Sequence, residues 1–114
     1  MSKDSIRLNE QYLARTLNPA TLIDYQAGAV VSKTLVQQPT GTVTLFAFAK
    51  GQGLSEHSAP FDAMVVLLDG QAQVTISGQP HQVAAGEMII MPANQPHALA
   101  AMEDFKMLLI MIKS

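Results

Sequence analysis

From Gly28 onward the chain is cut into short segments rich in β-branched and aromatic residues, each closed by a turn signal. That rhythm constrains the fold more than any other feature. GAVVSKTLV and TVTLFAFAK flank Gln38-Pro39-Thr40-Gly41, a reverse turn with proline in its second place. FDAMVVLL runs up to Asp69-Gly70, and QAQVTISG runs into Ser77-Gly78-Gln79-Pro80; HQVAAG, EMIIMP, HALAAM and FKMLLIMIK follow. In QAQVTISG, Ala72, Val74 and Ile76 alternate with Gln71, Gln73, Thr75 and Ser77, the pattern of a strand with one dry and one wet face. Short strands without intervening helices predict an all-β, antiparallel sandwich or barrel. Only SIRLNEQYLARTL, residues 5–17, departs from this: Ile6, Leu8, Tyr12, Leu13 and Leu17 lie near helical spacing. They predict a short N-terminal helix, ended by Asn18-Pro19.

The chain has 114 residues, which predicts a single domain over 1–114, with 1–20 as an N-terminal segment. A chain of this size buries enough apolar surface to fold without disulfides or a structural metal. It has no cysteine, which excludes thiolate metal sites, redox pairs and cysteine nucleophiles, and suits a reducing cytoplasm. MSKDSIRLNEQYL lacks the apolar core of a secretory signal. Unbroken apolar runs such as Met107–Ile112 fall far short of the roughly 20 residues needed to span a bilayer, so no membrane partner is expected. Net charge is −2 and the Lys and Arg residues are scattered, which argues against a nucleic-acid face.

Two segments are apolar on both faces. In 61–68, Phe61, Ala63, Val65 and Leu67 point one way and Met64, Val66 and Leu68 the other, with Asp62 the lone polar residue. In 105–112 only Lys106 breaks the pattern. A sheet buried on both sides needs a cover for its outer face, and a second copy of the chain is the simplest one. A homodimer is expected.

Gly51, His57, position 59, position 63 and Gly70 follow one another at intervals that resemble the first motif of the cupins. Gly86, Pro92, position 94 and His97 resemble the second. The likeness covers about residues 40–113 and is to the small, single-domain, RmlC-like cupins. It implies a jelly-roll-like double sheet opening on a pocket, and a dimer through sheet contact. In that family the first motif supplies two histidines and a glutamate, and the second a histidine, to hold a divalent metal. Here His57 and His97 keep their places, but Ala59 stands for the second histidine and Ala63 for the glutamate. Asn94 replaces the motif's glycine, a mild change because Asn tolerates the left-handed backbone. Ala101 replaces a frequent asparagine.

Two imidazoles alone make a partial site that holds a divalent ion such as Zn, Ni, Fe or Mn weakly. Asp62 and Glu56 adjoin the motif positions but point, on a regular strand, to the opposite face; Glu103 lies near a turn. A plainer reading makes His57 a rim residue bonded to backbone and His97 a turn residue beside Pro96. His81, in a polar hairpin after Pro80, reads as a surface residue. Replacing two ligands by alanine opens space, so the pocket is expected to be lined by His57, Ala59, Ala63, Val65 and His97, with some of Phe46, Phe48, Phe61 and Met91. The seven methionines fit either an adaptable apolar pocket or plain core filling.

Three classes of function follow. The first is a module binding a small, mostly apolar or weakly acidic molecule at the histidine pair. The second is an enzyme: with metal an oxygenase or isomerase, without it a histidine-driven epimerase or lyase. The third is a structural dimer with a vestigial pocket. No carboxylate is placed to orient either ring, and no arginine cluster awaits an acidic substrate, which favours the binding module.

Overall fold

The turn signals divide the chain into strands: β1 (Arg7–Leu8), β2 (Val30–Gln38), β3 (Gly41–Phe48), β4 (Gly53–His57), β5 (Phe61–Asp69), β6 (Gln71–Ile76), β7 (Gln79–Ala84), β8 (Met88–Met91), β9 (His97–Ala100) and β10 (Phe105–Lys113). The computed structural model describes Arg7, Leu8 and residues 10–113. All pairing among these strands is antiparallel, in a six-stranded sheet ordered β1-β2-β3-β10-β5-β8 and a four-stranded sheet ordered β4-β9-β6-β7. Pro39 and Thr40 alone separate the paired residues Gln38 and Gly41, as the turn signal required. Ser77 and Gly78 close the β6–β7 hairpin with φ of 48° and 81°, the twist that matches flanking strands.

Asp69-Gly70 makes a different kind of turn. It carries the chain from the large sheet to the small one, with Gly70 at φ 72°. A Cβ there would run into the Asp104 carbonyl oxygen, so glycine is needed for both backbone angle and space.

The N-terminal helix does not form. Arg7–Leu8 pairs with β2 instead, through Arg7 opposite Gln37 and Leu8 opposite Val36, and only a 3-10 turn, Glu10–Tyr12, follows. Ser5 and Ile6, the start of the expected helix, lie outside the described residues. A helix this short needs a packed apolar face to offset its costly nucleus, and Leu13 is 46% exposed. The free edge of β2 offers the backbone better partners. A second 3-10 turn, Pro19–Thr21, is capped by Asn18, whose Oδ1 accepts from the Ala20 N–H at 3.1 Å.

Between the sheets lies the main core, where Phe48, Val65, Leu67, Val74, Phe105 and Met107 are all fully buried. Phe48 and Phe105, paired across β3 and β10, stack with centroids 4.6 Å apart. The odd positions of β5 and β10 face this core, as their parity predicts. The even positions face out, and there the chain partly covers itself. Ile23 packs on Leu45 and Ala47, with Leu22, Tyr25, Leu68 and Leu108 around them. Lys106, the one polar break in 105–112, explains itself here: its Nζ donates to the Ala20 carbonyl at 2.7 Å and sits 5.0 Å from the centre of the Tyr25 ring. Lys33 donates likewise to Leu22 O at 2.6 Å. Among the described residues the rest of the outer face has no such cover, and Met88, Ile90 and Ile112 are more than half exposed.

Candidate functional site

Both motif segments cross from one sheet to the other. The first leaves the small sheet in β4 and enters the large one in β5; the second runs from β8 in the large sheet to β9 in the small one. β4 pairs with β9 and β5 with β8, so the two crossings lie side by side and frame one end of the space between the sheets. A cavity of about 50 Å³ opens there. It is lined by the two histidines, by Ala59, Phe61 and Ala63, and by the aliphatic and thioether chains of β4, β8, β9 and β10.

A β-bulge aims His57 into this cavity. Leu54 pairs with Leu99 and His57 with His97, so β4 carries one more residue than β9 between these pairs. On a regular strand, residues three apart would face opposite ways. With the bulge, Leu54 and His57 both line the cavity, matching Leu99 and His97, which share a face by parity. The imidazoles meet edge to face with centroids 4.4 Å apart. In each, the ring nitrogen nearer the backbone is held by the carbonyl two residues earlier. His57 Nδ1 donates to Ser55 O at 2.8 Å, and His97 Nδ1 to Gln95 O at 3.1 Å. Since a carbonyl can only accept, each Nδ1 carries the proton, and Nε2 of the neutral ring is left with its lone pair. His57 stands exposed at the rim, whereas His97 is 6% exposed. Burial lowers the pKa of His97 below its usual value; the bond to Gln95 opposes this, and the nearby His57 adds to it.

The second motif's turn holds this geometry. Asn94, in the place of a glycine, takes φ 66°, and its N–H donates to Ala59 O at 2.8 Å, tying the two crossings together. The plainer reading of His57, bonded to backbone at the rim, is thus correct as far as it goes, but the ring also lines the cavity.

Of the residues expected in the pocket, His57, Ala59, Ala63 and His97 line it together, as do Phe61 and Met91. Val65 does not. It is fully buried one step deeper on β5, between Leu109 and Ile89, as part of the core. Phe46 and Phe48 also belong to the core and its margin. Leu54, Leu99, Met107, Leu109 and Met111 were not foreseen in the lining. Parity with His97 pointed to Leu99, and the odd positions of β10 pointed to the other three on that strand. His81 lies exposed on β7, as expected.

A divalent metal of the kind the family motif implies does not fit these donors. Among the described residues, no three of His, Cys, Asp and Glu gather where they could hold an ion. Asp62 accepts from the Ala93 N–H at 2.9 Å, and Glu56 and Glu103 are exposed.

Two antiparallel sheets whose paired crossings frame a histidine-bearing cavity define a cupin barrel. The family model for the cupin domain matches residues 44–113, and the chain belongs to that family. It is similar to a conserved protein of unknown function from Streptococcus pyogenes, with 40% identity, 94% of each chain covered and a TM-score of 0.89. It is also similar to a cupin superfamily protein from Desulfitobacterium hafniense, at 31% identity over 95% of this chain and 99% of that one, with a TM-score of 0.88. A cupin 2 conserved barrel domain protein from Leptotrichia buccalis is 46% identical over 82% of this chain, with a TM-score of 0.80; the match spans 46% of that longer protein. Among curated proteins nothing matches the chain.

Proposed function

We propose that this cupin is a binding module for a small, neutral, mostly apolar molecule carrying a hydroxyl or similar hydrogen-bond donor. The observation that supports this is the pairing of two imidazoles, each with its Nδ1 proton committed to backbone, on an otherwise apolar cavity. Two acceptors side by side favour a donor such as a phenol or alcohol over a carboxylate, which would need one ring protonated. Burial works against that protonation at His97. The cavity takes one functional group and a few carbons, the remainder of the ligand resting at the rim beside His57. Among the described residues each ring is oriented by a backbone carbonyl and not by the carboxylate that would raise its basicity, so the binding reading stands ahead of metal-free proton chemistry.

The protein works, in this proposal, as a cytoplasmic homodimer. An apolar outer row outside both core clusters of the described residues supports the dimer: Ile90, Met64, Ile110 and Val43 follow one another across four strands. A melting-temperature screen tests the ligand class. Phenol and short alcohols should stabilise the protein, and benzoate and the matching hydrocarbons should do so less. Equal or greater stabilisation by benzoate at neutral pH would overturn the proposal.

A further inference from the structure

The position that the family motif fills with glutamate has distinctive neighbours. Ala63 on β5 pairs with Met111 on β10 on one side and with Met91 on β8 on the other. Directly paired residues of an antiparallel sheet point to the same face, with Cβ atoms about 5 Å apart. Two thioethers therefore flank the space above Ala63, and both methionines line the cavity that His57 and His97 enter from the opposite sheet. One wall offers two imidazole Nε2 lone pairs, the other two soft sulfurs.

We propose that this cavity is a binding site for one soft monovalent cation, copper(I) or its redox-inert counterpart silver(I), with His57, His97, Met91 and Met111 as ligands. Thioether and imidazole donors suit copper(I), whereas Mg²⁺, Ca²⁺ and Mn²⁺ demand oxygens that this cavity does not supply. Charge points the same way. All four donors are neutral, so a bound ion keeps its full charge in an apolar surround. The solvation cost of moving an ion into such a medium rises with the square of its charge, so a divalent ion loses about four times as much as a monovalent one. A glutamate would offset that cost; Ala63 does not. Exchanging Glu for Ala between two methionines turns a site for divalent ions into one for a soft single charge. Exposed His57 at the rim gives the ion a path in. This goes beyond the organic-ligand reading and does not rest on it.

The test uses the intact chain under anaerobic conditions. Copper(I) is partitioned against a chromophoric copper(I) chelator, silver(I) is titrated by calorimetry, and Zn²⁺ serves as the comparison. One equivalent of copper(I) and of silver(I) should bind, more tightly than Zn²⁺, with a melting temperature that rises with the logarithm of free ion. The Met91→Leu and Met111→Leu variants keep core volume and should fold, yet each should lose at least about tenfold in copper(I) affinity. X-ray absorption of the copper(I) form should show both sulfur and nitrogen neighbours, a readout that does not depend on any variant. Zn²⁺ binding as tightly as copper(I), unchanged copper(I) affinity in both leucine variants, or a first shell without sulfur would overturn the proposal and leave the methionines as core filler. The phenol screen is independent: silver(I) binding without a phenol response, or the reverse, separates failure of one reading from failure of the other.

Discussion

His57 and His97 stand opposite each other on β4 and β9 with rings 4.4 Å apart, yet one is solvent-exposed and the other almost wholly buried. The same chemistry therefore carries different structural weight on the two strands. His97→Ala should destabilise the fold by about 1–3 kcal/mol, because it leaves a cavity and strands the Gln95 carbonyl. His57→Ala should stay within about 0.5 kcal/mol. Urea denaturation of both variants checks the asymmetry, and equal costs would contradict it.

Restoring the family's ligands tests whether the backbone still supports a four-ligand site. Ala63 is 4% exposed, so Ala63→Glu places a carboxylate among apolar groups and should cost a few kcal/mol without metal. Combined with Ala59→His, it should create a Zn²⁺ or Ni²⁺ site that recovers this loss. The melting temperature of the double variant should rise steeply with Zn²⁺, while that of the unaltered protein changes little.

The row Ile90, Met64, Ile110 and Val43 crosses the large sheet and belongs to neither core cluster of the described residues. Sedimentation equilibrium at micromolar concentration should show a dimer. Ile90→Lys, at a side chain 53% exposed in the single chain, should fold normally and sediment as a monomer. A monomeric unaltered protein would contradict the role assigned to this face.

Tyr25 donates to Asp69 Oδ2 at 2.5 Å and helps hold the 19–25 segment on the sheet. Burial, then the bond to Asp69 and its charge, raise the phenol's pKa above the ordinary 10.0. The folded state thus holds this proton more tightly than the unfolded chain does. The resulting stability is complete below pH 10 and declines as pH rises past that value. Tyr25→Phe should lose about 1 kcal/mol at pH 8, and the difference from the unaltered protein should shrink above pH 10 in alkaline urea titrations.

Much of this was legible in the chain because period-two alternation and turn residues are local signals. The Pro39-Thr40 and Ser77-Gly78 turns and the inward odd positions of β5 and β10 follow from such signals, whereas the left-handed turn at Asn94 follows from the motif resemblance. The motif resemblance added the histidine pair, which periodicity alone could not. Three things were hidden. The β4 bulge is a mismatch between two strands, and nothing in GLSEH announces it. Val65 has the right parity for the pocket but lies too deep, since parity gives the face and not the depth. The N-terminal segment carried a loose helical spacing that lost to the edge of β2, a partner distant in sequence.

The histidine nitrogens themselves give the most direct test of the pocket. In a protein labelled with ¹⁵N at histidine, phenol titrated at neutral pH should shift the Nε2 resonances of His57 and His97 along one common binding curve. His81, exposed on β7, should not move. His57→Ala should weaken or abolish the response at His97. If both Nε2 signals stay fixed across the titration, or move only as His81 does, the histidine-centred cavity is not a binding site for hydroxyl-bearing ligands.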